Sequence, residues 1–136
     1  MARIIGLDYG IKRCGLSVTD PEQIIVNPLT VVETNNLLSF LNEYLTKENV
    51  EKIVIGQAFH RDGNEMYFEK DIQKLISTLK QSFPMIVIDR QDEGFTSRES
   101  MDIIIASGIK KNKRKDRSLV DKISAVLILQ KYLKHI

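Results

Sequence analysis

Cysteine is nearly absent: Cys14 is the only one in 136 residues. No internal disulfide can form, so a reducing, cytoplasmic setting is expected. One Cys with two His, His60 and His135, cannot make a usual structural zinc site. Any metal here would be a hard ion held by oxygens. Long apolar runs are missing too. The longest, Ala125 to Leu129, is far too short to span a bilayer, so no membrane role is expected. The opening Met-Ala-Arg-Ile-Ile-Gly-Leu-Asp lacks the apolar stretch and small-residue cleavage site of a signal peptide. Strong compositional bias is also lacking. With 43% apolar and 28% charged residues, collagen-like, mucin-like and wholly disordered chains are excluded. The length fits one domain over residues 1–136. A chain of this size buries roughly two-thirds of its unfolded surface and needs no staples.

What the chain does have is charge in one place. Lys110, Lys111, Lys113, Arg114, Lys115 and Arg117 stand against the single acid Asp116, a local charge of +5. The whole chain carries +2, so the remainder carries −3. A basic patch on a slightly acidic body suggests contact with a polyanion. Taken alone, such a run is more often a solvated connector.

The apolar pattern divides the chain into elements. Ala2 to Asp8 is β-branched and apolar, and Arg13 to Thr19 alternates Cys14, Leu16 and Val18 with Arg13, Gly15 and Ser17. Ile24 to Glu33 reads as a third strand, and Pro28 puts it at an edge or bends it. Short connections make these three an antiparallel meander. Asn35 to Glu48 sets Leu37, Leu38, Leu41, Tyr44 and Leu45 on one helical face. Further strands are predicted at Lys52–Gly56 and Met85–Asp89. Helices are predicted at Glu65–Ser82, Thr96–Ser107 and Ser118–Leu133. The order β-β-β-α-β-α-β-α-α implies an α/β fold, a mixed five-stranded sheet with helices on both faces.

Three carboxylates stand out within that pattern. Asp8 ends an apolar strand before Tyr9-Gly10, where it is either a turn residue or a group needing a cation. Glu93 follows a strand end, where ligands bind in open α/β sheets, although a loop acid is the plainer reading. Asp92 beside it is chemically equivalent and is a candidate fourth ligand. Asp121 opens the most apolar helix, with small Ser124 and Ala125 on its face, so it is expected to face the sheet. A capping box with Ser118, worth about 0.5–2 kcal/mol, is the competing reading. If the three acids converge without His or Cys, they repel unless cations neutralise them. Mg²⁺ or Mn²⁺ would serve, and two such ions about 3.5–4 Å apart clamp an in-line displacement at phosphorus. The basic segment would hold the backbone.

The ordered set Ile-Ile-Gly-Leu-Asp8-Tyr-Gly, Ile-Val-Ile-Gly56, Asp92-Glu93-Gly-Phe-Thr96-Ser97 and Val-Asp121-Lys-Ile-Ser-Ala-Val resembles the YqgF family. These are RuvX-like Holliday junction resolvases, also described as pre-16S rRNA nucleases. The resemblance covers nearly the whole chain and implies a ribonuclease H-like fold. It implies a metal-dependent nuclease with Asp8, Glu93 and Asp121 as catalytic and metal-binding acids. In such a nuclease Thr96 or Ser97 would support Glu93, and the basic residues from Lys110 to Arg117 would bind structured nucleic acid. Two departures bear on substrate. The family's Asp-Glu-Arg has Gly94 in third place, and its Gly-Leu-Pro loop is Gly56-Gln57-Ala58.

Three functions compete. The first is a two-metal endonuclease acting on precursor rRNA or, alternatively, on four-way DNA junctions as a homodimer. The second is a nucleotide-binding module, because Gly6-x-Asp8-x-Gly10-x4-Gly15 is similar to the first phosphate loop of actin-like ATPases. One domain and no second loop rank it lower. The third is a non-catalytic protein that holds nucleic acid through the basic segment.

Overall fold

The computed structural model describes residues 2–57, 68–92 and 117–135, with the helix alone described at 117–120. Five strands form one sheet in the order β3-β2-β1-β4-β5. They are β1 (Arg3–Asp8), β2 (Arg13–Thr19), β3 (Val26–Glu33), β4 (Val50–Gln57) and β5 (Val87–Asp92). β1 pairs antiparallel with β2, and β2 with β3, as the short connections require. β4 joins parallel to β1, and β5 parallel to β4. The helices among the described residues are α1 (Leu37–Lys47), α2 (Glu69–Ser82) and α3 (Arg117–Tyr132). A 3-10 turn, Thr34–Asn36, precedes α1. This is the mixed α/β sheet that the resemblance to a ribonuclease H-like fold implies. The helix predicted at Thr96–Ser107 lies outside the described residues.

β1 is central, so both of its faces are covered and Ile4 to Leu7 are all buried. Its side chains alternate between two cores. Ile5 and Leu7 join Leu16, Ile53 and Ile55 beneath Leu37 and Leu41 of α1 and Ile72 and Leu79 of α2. Ile4 turns the other way, with Val54, against Ile128 and Leu129 of α3. Each fully buried Leu or Ile contributes about 1.5–3 kcal/mol against leaving it in water. Helices therefore cover both faces. Among the described residues no helix is long and apolar enough to cross a membrane.

Pro28 sits where its missing N–H does least harm, on the edge strand β3. The register slips there, Leu16 pairing with Thr30 and Ser17 with Pro28, which leaves Leu29 as a bulge. Several strand bounds depart from expectation. The third strand starts at Val26, not Ile24, and the fourth runs Val50–Gln57, not Lys52–Gly56. The last strand differs most, running Val87–Asp92, not Met85–Asp89. Pro84 and Met85 form a turn, and parallel pairing with β4 from Lys52↔Val87 to Gln57↔Asp92 carries the strand three residues further. Local pattern ended it too early, because Arg90, Gln91 and Asp92 are polar and only the pairing keeps them extended.

Candidate active site

Asp8 closes β1 and is half-buried. It stands opposite Gly15 of β2 in the antiparallel register. Cross-strand partners share a face of the sheet. On that face lies α3. A Cβ at Gly15 would come within 2.1 Å of the Asp121 carbonyl oxygen and 3.2 Å of its Cβ. Only glycine admits so close a helix. The register thus brings Asp8 and Asp121, distant in sequence, to one face at the carboxyl end of β1. A second anchor lies further along α3. Buried Ser17 donates its hydroxyl to the Ala125 carbonyl at 2.7 Å, and a Cβ at Gly6 would lie 2.9 Å from that same oxygen.

The turn after Asp8 is fixed as well. A Cβ at Gly10 would lie 2.3 Å from the Arg13 carbonyl oxygen, so the turn needs glycine. Thr34 clamps it from the far side, its hydroxyl donating to the Gly10 carbonyl at 2.7 Å and its N–H to Lys12 at 3.0 Å. The glycine spacing similar to a phosphate loop is thus taken up by helix packing at Gly6 and Gly15 and by the turn at Gly10. This counts against the nucleotide-binding reading.

The electrostatics follow from this placement. Asp121 accepts a hydrogen bond from Arg13 Nε at 3.0 Å, and its side chain is 27% exposed. Arg13 lies two residues from Gly15 and so shares its face. Cys14 points to the opposite core and is fully buried. Burial pushes its thiol pKa up, and the nearby charges of Asp8 and Asp121 push it further. Both carboxylates thus raise the cost of a thiolate there, and Cys14 stays a protonated core side chain.

The three parallel strands β1, β4 and β5 end at one side of the sheet, with Leu7 beside Ile55 and Gln57 beside Asp92. Asp92 is the exposed last residue of β5. Glu93, next in the chain, lies outside the described residues, as do Thr96, Ser97, Lys110, Lys111, Lys113, Arg114 and Lys115. Arg117 begins α3. Among the described residues no three His, Cys, Asp or Glu side chains gather. Two of the three expected acids share the face described above. Their donors are all carboxylate oxygens, which suits a hard divalent ion and not a soft one. Neighbouring Arg13 already brings positive charge to Asp121.

Sequence reasoning missed two features near this end. Arg90 of β5 donates from Nε to Ile55 O at 3.2 Å, from one terminal nitrogen to Gly56 O at 3.0 Å, and from both to Glu69 at 2.8 Å. The pair ties the ends of β4 and β5 to the first turn of α2. Its partners are distant in sequence, so no spacing rule could have signalled it. Arg13 was within reach: strand alternation already placed it on the face of Gly15.

Comparison with known proteins gives this geometry a family. The model of a family described as "RuvX: Holliday junction resolvase" matches residues 2–135. A protein of Porphyromonas gingivalis named "Putative pre-16S rRNA nuclease" is 47% identical over 133 residues, covering 98% of this chain and 96% of its own. One of the same name from Flavobacterium psychrophilum is 42% identical over 133 residues, covering 98% and 97%. Among solved structures, the fowlpox virus Holliday junction resolvase aligns with a TM-score of 0.60 at 16% identity, covering 98% of this chain and 99% of that one. RuvC of T. thermophilus, solved with a Holliday junction substrate, aligns at 0.55 and 15% identity, covering 98% and 96%. The structural matches share the fold, the sequence matches extend over almost the full length, and the chain belongs to the RuvX family.

Proposed function

We propose that residues 1–136 form a single nuclease domain that hydrolyses phosphodiester bonds of structured nucleic acid, with the precursor of 16S rRNA as substrate. One observation carries this reading: Asp8 and Asp121 come to one face at the carboxyl end of β1, across a glycine that nothing larger can replace. The relatives named pre-16S rRNA nucleases favour RNA. The family description and the junction-bound RuvC favour a four-way DNA junction as the second reading.

Asp8 and Asp121, with Glu93 following β5, would hold Mg²⁺ or Mn²⁺, two ions in the full reading. When bound, such ions supply an activated water and offset charge on the phosphate. The chain's own residues do the rest. Carboxylates sharing one face would repel one another and so favour a cation between them. Gly15 and Ser17 hold α3 at the distance that keeps Asp121 beside β1. Lys110, Lys111, Lys113, Arg114, Lys115 and Arg117 would hold the phosphate backbone through charge. Thr96 and Ser97 would steady Glu93.

The test is cleavage of a 5′-extended 16S rRNA precursor and of a four-way junction, in Mg²⁺ or Mn²⁺, by wild type and Asp8→Asn. Wild type should cut the precursor, and the variant should lose at least a hundredfold in rate while still binding it. Equal rates would remove the mechanism. A wild type that binds without cutting either substrate would leave the non-catalytic reading.

A further inference from the structure

Two arginines sit near the carboxyl ends of the strands, and they are used differently. Arg90 commits all three of its guanidinium nitrogens to acceptors within the protein and is largely buried. Arg13 commits Nε alone, to Asp121, and its side chain stays 38% exposed. Its two terminal amino groups make no hydrogen bond among the described residues. A planar guanidinium anchored at one corner presents its remaining N–H edge as a fork that matches phosphate oxygens. Arg13 stands beside Asp121, where a phosphodiester would otherwise be repelled.

A groove of about 470 Å³ opens beside Arg13, lined also by Lys12, Val31, Glu33 and Asn35. It runs from the start of β2 onto the edge strand β3. Arg13 and Lys12 line it as cations and Glu33 as an acid, with Ile11, Val31 and Val32 as its apolar members. The two cations give a phosphodiester strand a course along it, with its phosphate at the arginine.

Resting on the nuclease reading, we propose that Arg13 is a further catalytic residue. Asp121 holds its Nε, and its terminal amino edge takes a non-bridging oxygen of the phosphate brought to the acids. The strand continues into the Lys12–Asn35 groove. Arg13 thus has two duties, orienting a ligand acid and contacting substrate, which a lysine cannot perform together.

The test uses the full chain. Binding of the rRNA precursor and of a four-way junction is measured by fluorescence anisotropy across a salt series, in the Asp8→Asn background. Arg13→Gln should weaken binding about tenfold, the worth of one charge-assisted hydrogen bond. It should also make the slope of log affinity against log salt shallower by about 0.7–0.9, the value of one phosphate contact. Arg13→Lys should keep the slope, and in the otherwise wild-type chain it should lose at least tenfold in kcat. Lys47→Gln, on the exposed face of α1, should change neither. Melting of the Arg13 variants within a few degrees of wild type shows that the fold is intact. A slope and affinity unchanged in Arg13→Gln would overturn the proposal, leaving Arg13 as a partner of Asp121 only. A wild type that cuts neither substrate would instead sink the nuclease reading, so the two failures are distinct.

Discussion

Gly15 makes a tighter approach than Gly6 or Gly10. Any side chain there meets the Asp121 backbone at 2.1 Å, and neither a strand nor a helix backbone yields cheaply. Gly15→Ala should lower stability by about 1–3 kcal/mol, read from a urea midpoint, and should weaken Mn²⁺ binding by pushing Asp121 away from Asp8. Unchanged stability would mean that α3 stands further from β2 than described. The glycine was legible in the sequence, but its reason was not. A loop-like spacing suggested phosphate contact, whereas helix packing accounts for Gly6 and Gly15. The acids show the same limit. Asp8 and Asp121 were picked out by where they interrupt apolar runs, yet only the Asp8↔Gly15 register brings them to one face.

At the level of elements, the Arg90–Glu69 pair joins β5, β4 and α2. Glu69 is 11% exposed and Arg90 19%, so removing one partner leaves a largely buried charge uncompensated. Arg90→Met should cost about 3–5 kcal/mol by thermal or urea unfolding. The pair also fixes a pH dependence. The hydrogen bonds from Arg90 hold the Glu69 carboxyl below the usual carboxylate range, against the opposing effect of burial. Its folded pKa is therefore lower than its unfolded value of about 4.3. The stability it contributes is complete above that unfolded value and is lost as pH falls through the folded one. Glu69→Gln should flatten the fall in stability as pH drops below the unfolded value of about 4.3, measured by urea melts at successive pH values. An identical slope in the variant would assign the acid sensitivity to other carboxylates. Helices α1 and α2 were readable because their apolar residues recur at helical spacing. The end of β5 was not, since polar Arg90, Gln91 and Asp92 are held extended by β4 and by Glu69. Tyr132 is a parallel case. It reads as helix-end packing, yet its hydroxyl accepts from Lys52 and donates to Asp89, both at 2.7 Å, pinning the end of α3 to β4 and β5.

For the molecule as a whole, connection lengths already fixed most of the topology. Short turns forced β1, β2 and β3 into a meander, and the helical connections required crossovers. With β2 flanked on both sides, the open places were beside β1 and beyond β3. β4 took the first, which makes β1 central and sets Asp8 at the middle of the strand ends. That choice depends on burying Ile4 to Leu7 on both faces, a tertiary matter that periodicity does not report. In the proposed mechanism the acids of β1 and α3 act as one site for a hard divalent ion. Mn²⁺ binding followed by electron paramagnetic resonance tests this without reference to any substrate. Wild type should retain the ion, and Asp8→Asn and Asp121→Asn should each weaken binding at least tenfold while remaining folded. Binding in either variant equal to wild type would contradict the shared site, and no retention by wild type would contradict the metal.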